Sequence, residues 1–158
     1  MSATPPPTDV NVRDAVADDL SFIFHANREM ARETEDKELD PATLQSGIAT
    51  ALADPSLGFY LIAEIDGDDA GTLMVTREWS DWRNGLFWWI QSVYVLPRFR
   101  GRRAYSALHH AVVDRARDHG NIQGVRLYVD RENQHAREVY QRLGMDHSNY
   151  DMMEISIP

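Results

Sequence analysis

No cysteine occurs among the 158 residues, which removes disulfides, thiolate nucleophiles, cysteine-based zinc sites and iron–sulfur ligation from the chemistry open to this chain. The absence agrees with a reducing, cytoplasmic setting. Lysine is almost as scarce: of 16 basic residues only Lys37 is one, a bias that either a GC-rich genome or a need for planar, phosphate-binding guanidinium groups would produce. No stretch approaches the roughly 18 consecutive apolar residues of a membrane span, and Met1 to Val10 has neither the basic start nor the apolar run of an export signal. The sequence therefore predicts no membrane partner. The six histidines include no pair at the i, i+4 spacing of a helical metal site, and no Gly-x-Ser-x-Gly motif offers a hydrolase nucleophile. No metal is expected.

What is present is an ordinary globular composition, 43% hydrophobic and 26% charged. A chain of this size buries roughly 70% of the surface its unfolded form exposes, enough for one core without staples. The net charge of −9 is unevenly placed: residues 1–97 carry 6 basic and 17 acidic side chains, residues 98–158 carry 10 and 8. Nucleic acid is a poor partner for so acidic a chain, because that binding is driven by phosphate neutralisation.

Residues 1–9, with three consecutive prolines, read as a disordered lead, and 10–158 as a single domain. Val10 and Val12 suggest a short strand. A helix capped by Asp18 or Asp19 follows, with Leu20, Ile23, Phe24, Ala26 and Met30 at helical spacing, and a second starts near Pro41 and ends at Asp54-Pro55. The period then changes to two. Strands are predicted over 59–65, 71–79 and 86–96, joined by a turn at Asp66-Gly67-Asp68-Asp69 and a polar loop at 80–85. Beyond Pro97 the pattern gives a helix from Ala104 to Gly120, a strand through Val125, Leu127 and Val129, a helix from Asn133 to Leu143 and a last strand over 150–157. A strand–helix–strand tail on an antiparallel meander implies a mixed α/β or α+β sheet with one parallel pair.

The most informative segment is Pro97-Arg98-Phe99-Arg100-Gly101-Arg102-Arg103-Ala104-Tyr105-Ser106, which sets four arginines and a glycine between a strand end and a helix start. First-turn amides of a helix point outward with the positive end of its dipole, which suits a phosphate, and arginines add charge-assisted hydrogen bonds. A solvated basic turn is the plainer explanation of the same residues.

Two patterns in order, Val93-x-Val95-x-Pro97-x-Phe99-Arg100-Gly101-Arg102 with Leu108 six residues on, and Asn133-x-x-Ala136-x-x-x-Tyr140-x-x-Leu143-Gly144-Met145, resemble the acetyl-CoA-binding core of the GNAT-superfamily N-acetyltransferases. The resemblance is detailed over residues 86–147. It implies a mainly antiparallel central sheet flanked by helices and splayed at the cofactor-binding strand, whose backbone over Ser92, Val93, Tyr94 and Val95 pairs with the pantetheine arm. It further implies a pyrophosphate held by main-chain groups over Arg100, Gly101, Arg102, Arg103, Ala104, Tyr105 and Ser106, with Arg98, Arg102 or Arg103 reaching a phosphate. Asn133 would bond the pantetheine region and Tyr140 would protonate the departing thiolate. The implied reaction is acetyl transfer from acetyl-CoA to a primary amine of a small, cationic acceptor, and the implied alternative is a CoA-binding sensor or interaction module of the same fold that has lost catalysis. Resembling proteins often form homodimers.

This sequence departs from that family pattern twice. Arg103 and Tyr105 occupy its two small-residue places, and no carboxylate stands near Trp89, where many members keep a base. Glu29, Glu33, Glu78 and Asp81 are candidate proton acceptors from neighbouring elements, and a water chain to solvent is an equal alternative. For the acceptor pocket the candidates are Glu29, Glu33, Trp79, Asp81, Trp82, Trp89 and Gln91. Each also has an ordinary explanation: a solvated helix end for the acids, sheet packing for Trp89, helix packing for Tyr140 and a helix cap for Asn133.

Overall fold

The computed structural model describes residues 9–158, and the predicted lead over residues 1–9 lies outside the described residues save for Asp9. Strand β1 is Asn11–Asp14, and a 3-10 turn at Ala17–Asp19 leads into α1, Leu20–Glu35. Asp19 does not cap that helix. Its buried carboxylate instead accepts from the Val16 amide at 2.7 Å and from both terminal nitrogens of Arg13 at 2.8 Å, which fixes β1 against the turn. Helix α1 ends where Asp36 turns left-handed at φ 51°, and α2, Pro41–Ala53, begins with Asp40 accepting from the Thr43 amide at 2.9 Å and with proline at its first position.

Strands β2, Phe59–Ile65, and β3, Asp68–Ser80, form a hairpin whose turn is two residues rather than the four expected. Asp66 and Gly67 both take positive φ, 54° and 81°, the conformation a tight hairpin turn of matching twist demands, so pairing resumes at Ile65 with Asp68. Strand β4 is Gly85–Val95, a 3-10 turn at Pro97–Phe99 follows, and α3 is Ala104–His119. Strand β5 is Ile122–Leu127, earlier than the predicted Val125–Val129. The sheet order is β1-β2-β3-β4-β5, antiparallel throughout except for the parallel β4–β5 pair that the crossover through α3 required.

Both faces of this sheet are covered. On one, Leu108 and Val112 of α3, each wholly buried, pack over Leu61, Leu73, Val75 and Ile90. On the other, Ile23 of α1 and Ile48 of α2 pack over Tyr60 and Ile62. The described chain divides into two compact units after Tyr128, and the second holds helix α4, Gln134–Arg142.

The strand predicted over Tyr150–Ile157 is absent: residues 145–158 form no regular element, and Met153, Ile155 and Ile157 are exposed. An alternating pattern shows that a segment could lie half-buried on a sheet, but a strand exists only through hydrogen bonds to a partner, which the pattern does not encode.

Candidate active site

The geometry of the site begins with one extra residue in β4. Thr72 pairs with Tyr94 and Met74 with Gln91, so Ser92 and Val93 together stand opposite Leu73. Ser92 takes φ 53° to make this bulge. Because side chains alternate along a strand, the extra residue reverses which face the later ones meet. Trp88 and Ile90 point into the α3 core, and beyond the bulge Val93 and Val95 do so, while Tyr94 turns to the α1 side. There its hydroxyl donates to the Glu33 carboxylate at 2.7 Å.

The same stretch of β4 is where the sheet opens. The β4–β5 ladder ends at Ile90 with Leu127, whereas the β3–β4 ladder runs on to Gly71 with Val95. From Gln91 to Val95 one edge of β4 therefore has no strand beside it among the described residues. The resemblance implied a splayed strand over Ser92–Val95, and the fork falls there together with the bulge.

The junction after β4 is built from backbone. Phe99 is buried and anchors the turn, Gly101 takes φ 79° with open space where a Cβ would sit, and Arg103 takes φ 63° as the residue preceding α3. The first backbone bond of the helix runs from the Ala107 amide to the Arg103 carbonyl at 3.1 Å. The amides before it, from Ala104 to Ser106, have no acceptor within the helix, as for any first turn. Arg103 adopting a left-handed conformation explains why the family pattern places a glycine there, and it shows how an arginine satisfies the turn at some strain.

Three arginines of this junction are held by acids. Arg98 lies 3.5 Å from Asp68 and stacks on the Phe99 ring, and Arg102 reaches Asp66 at 2.9 Å. Arg100 bonds the Val95 carbonyl at 3.0 Å and Glu33 at 2.8 Å, with its guanidinium carbon over the Tyr94 ring. Exposed pairs of this kind are worth about 0–1 kcal/mol each, little enough for a multiply charged phosphate to displace. The bonds from Tyr94 and Arg100 hold the Glu33 carboxyl below its ordinary range, while burial and the neighbouring Glu33 charge push the Tyr94 phenol up to about 12. Glu33 thus braces the junction, and Glu29 is paired with Arg32 at 2.8 Å. Both carboxylates are therefore engaged in ion pairs.

Beside the fork, on the α1 side of the sheet, a second group assembles. Trp89 pairs in register with Thr76 on one side and Arg126 on the other. The Glu78 carboxylate accepts from the Trp89 indole at 3.1 Å and from Arg126 at 2.9 Å, the Arg126 guanidinium lies 3.5 Å over the Phe87 ring, and Trp89 and Tyr128 have ring centroids 5.0 Å apart. Gln91 donates to the Thr76 hydroxyl at 2.8 Å. Trp88, its side chain on the opposite face, is buried against Phe59 and His119. Trp79 and Trp82 lie at the far end of the β3–β4 hairpin, Trp82 91% exposed, with Asp81 bonded to the Trp82 amide. Sequence reasoning missed Arg126 and Tyr128. Their signal was the alternation along β5, which puts both on the side opposite Val125 and Leu127.

In the second unit, Asn133 caps α4 by accepting from the Ala136 amide at 3.1 Å, and Tyr140 stands two turns further on, half-buried, its phenol pushed up by burial. The helix closes with Met145 N–H bonding the Tyr140 carbonyl, Gly144 N–H bonding that of Gln141, and Gly144 at φ 93°. The Leu143-Gly144 pair is therefore the stop of the tyrosine's helix. Among the described residues no cluster of three or more histidine or acidic side chains could hold a metal ion, and no helix is long and apolar enough to cross a membrane.

Residues 17–145 match the sequence profile of the acetyltransferase (GNAT) family. The crystal structure of a possible acetyltransferase from Clostridium difficile 630 is 38% identical, with 94% of this chain and 98% of that one covered and a TM-score of 0.89. A predicted acetyltransferase from Clostridium acetobutylicum, solved with acetyl-CoA, is 20% identical over 93% of this chain and 96% of that one, with a TM-score of 0.75. The structure of AAC(6')-Iy in complex with the bisubstrate analogue CoA-S-monomethyl-acetylneamine is 17% identical over 94% of this chain and 99% of that one, with a TM-score of 0.73. At such identities the last two show likeness of fold. No curated protein matches the sequence.

Proposed function

Since the chain belongs to the GNAT acetyltransferase family, we propose that residues 10–158 work as one cytoplasmic N-acetyltransferase domain that moves an acetyl group from acetyl-CoA to a primary amine of a small acceptor, by direct attack in a ternary complex. The observation that carries this reading is the coincidence of the Ser92 bulge with the end of the β4–β5 ladder, immediately before the left-handed turn into α3. A free strand edge followed by a helix N-terminus offers a linear amide-bearing arm something to pair with and its diphosphate something to settle on.

Each residue's role follows from its chemistry. The first-turn amides of α3 and the open Gly101 receive the pyrophosphate, with Arg98 and Arg102 free to exchange their exposed carboxylates for phosphate oxygens. Main-chain groups of Val93 to Val95 pair with the pantetheine arm, and an N–H there stabilises charge developing on the thioester oxygen. Asn133 serves the same arm. Acetyl-CoA as co-substrate supplies an activated acyl carbon and a thiolate that leaves. The acceptor arrives as an ammonium ion and must lose a proton before it attacks; Glu78, whose carboxylate bonds Trp89 beside the fork, takes it. The nitrogen–carbon bond forms as the carbon–sulfur bond breaks, Tyr140 gives its proton to the sulfur, the second proton of the nitrogen passes to solvent, and the phenolate and Glu78 return to their starting states by exchange with water. The phenol carries its proton at neutral pH, as a donor must, burial raising it above its ordinary value.

The test is titration calorimetry with acetyl-CoA together with thiol release on a panel of amines. Micromolar coenzyme binding with amine-dependent thiol release supports the reading. Binding without transfer to any amine would make the chain a CoA-binding module instead.

A further inference from the structure

The group beside the fork has an unusual charge balance for a site that receives an amine. Glu78 is its one acid, and it is already neutralised by Arg126. The neighbouring acids of α1 are committed as well, Glu29 to Arg32 and Glu33 to Arg100. A simple polycation would find no uncompensated negative charge here, and to reach Glu78 it would have to displace Arg126 while offering the guanidinium nothing in exchange.

Arg126 is prepared for such an exchange. Among the described residues it makes one hydrogen bond, from a terminal nitrogen to Glu78, while the Phe87 ring 3.5 Å beneath it and Trp89 at 5.9 Å fix the plane of the fork. The other guanidinium N–H groups are geometrically suited to a carboxylate, which they would engage in a bidentate pair. Both members are within reach of solvent, the side chains of Arg126 and Glu78 being 32% and 44% exposed. Beside them the Trp89 and Tyr128 rings, tilted by 37°, offer a flat apolar surface, and Tyr128 is 61% exposed.

We propose that the acceptor is a zwitterion of the amino-acid type, its ammonium received by Glu78, its carboxylate by Arg126, and its side chain laid against the Trp89 and Tyr128 rings. The inference rests on the acetyl-transfer reading above and names the acceptor class of that site. An amino acid exchanges one internal ion pair for two external ones, so its carboxylate draws Arg126 away and leaves the Glu78 lone pairs for the amine. A decarboxylated amine can do only half of this.

The experiment compares L-phenylalanine, L-phenylalaninamide and phenethylamine as acceptors, with acetyl-CoA binding measured first by calorimetry on the same protein. The proposal requires kcat/KM for L-phenylalanine to exceed that of each carboxylate-free analogue at least tenfold. It also requires that preference to fall to within about twofold in Arg126→Met, which retains the packing on Phe87, and to survive in part in Arg126→Lys, with acetyl-CoA affinity the same in both variants. Equal or better turnover of phenethylamine by the wild type, or a preference undiminished in Arg126→Met, would overturn it. Should none of the three be acetylated, their binding to the coenzyme-loaded protein gives the same contrast, and absence of L-phenylalanine binding there also overturns the proposal. Failure of acetyl-CoA itself to bind marks instead the failure of the acetyl-transfer reading.

Discussion

The Tyr94 hydroxyl meets the Glu33 carboxylate at 2.7 Å, joining the strand just past the Ser92 bulge to the last turn and a half of α1. The pair titrates at both ends of the pH scale. Glu33, held below its ordinary 4.5, contributes stability fully above that value and loses it as pH falls through the lower folded value. Tyr94, pushed from 10.0 to about 12, contributes fully below pH 10 and loses that contribution as pH rises toward 12. Glu33→Gln should cost about 1 kcal/mol at pH 7, after discounting a charged hydrogen bond for solvent exposure. Urea midpoints across pH 3–8 check this, the difference from wild type shrinking as pH falls below 4.5.

Arg103 is expected to tolerate glycine better than any side chain. A non-glycine residue at φ 63° carries roughly 1 kcal/mol of strain, partly offset by the freedom glycine gains when unfolded. Arg103→Gly should relieve that strain while losing the contacts of the arginine side chain, leaving the thermal midpoint within a few degrees of wild type. Arg103→Val, β-branched in the same conformation, should lower the midpoint. Scanning calorimetry with and without coenzyme reads both.

Tyr140→Phe should reduce kcat by about 10²-fold or more if the phenol supplies the proton, with little change in acetyl-CoA affinity. Because burial raises the phenol above its ordinary 10.0, the wild-type rate should not decline on its account below that pH. A kcat profile from pH 6 to 11 on both enzymes separates lost proton donation from lost packing: only the former removes the decline that the wild type shows above pH 10.

Arg13 holds the buried Asp19 and reaches Glu64 and Asp69 as well. Arg13→Met leaves a carboxylate that is 7% exposed without its cation, and should cost about 2–3 kcal/mol at neutral pH. The bond from Arg13 holds Asp19 below its usual range, so the penalty should shrink as pH falls below 3.8. Urea denaturation of the two proteins at pH 7 and pH 3 tests this.

Most elements of the fold were legible because their sequence periods are long and undisturbed, as in α1, α3 and the β2–β4 meander. The hairpin turn came out shorter because Asp66-Gly67 can reverse the chain alone. The last strand did not form, since alternation at 150–157 says nothing about a pairing partner. At the site, the arginine-rich junction between β4 and α3 and the opening of the strand before it were readable through motif order. The committed state of Glu29 and Glu33 was not, because salt-bridge partners such as Arg100 lie 67 residues away along the chain. Arg126 and Tyr128 stayed hidden until the parallel register set Arg126 opposite Trp89.

The protrusion at Ser92 also bears on how this chain can vary in length. Removing that one residue would set Val93 alone opposite Leu73, so Val93, Tyr94 and Val95 would keep the faces they have and the Tyr94 phenol would still meet Glu33. A one-residue deletion in the regular part of the strand, at Trp88 for instance, would instead send the side chains on one side of the gap to the wrong face, so this strand is most easily shortened at its kink.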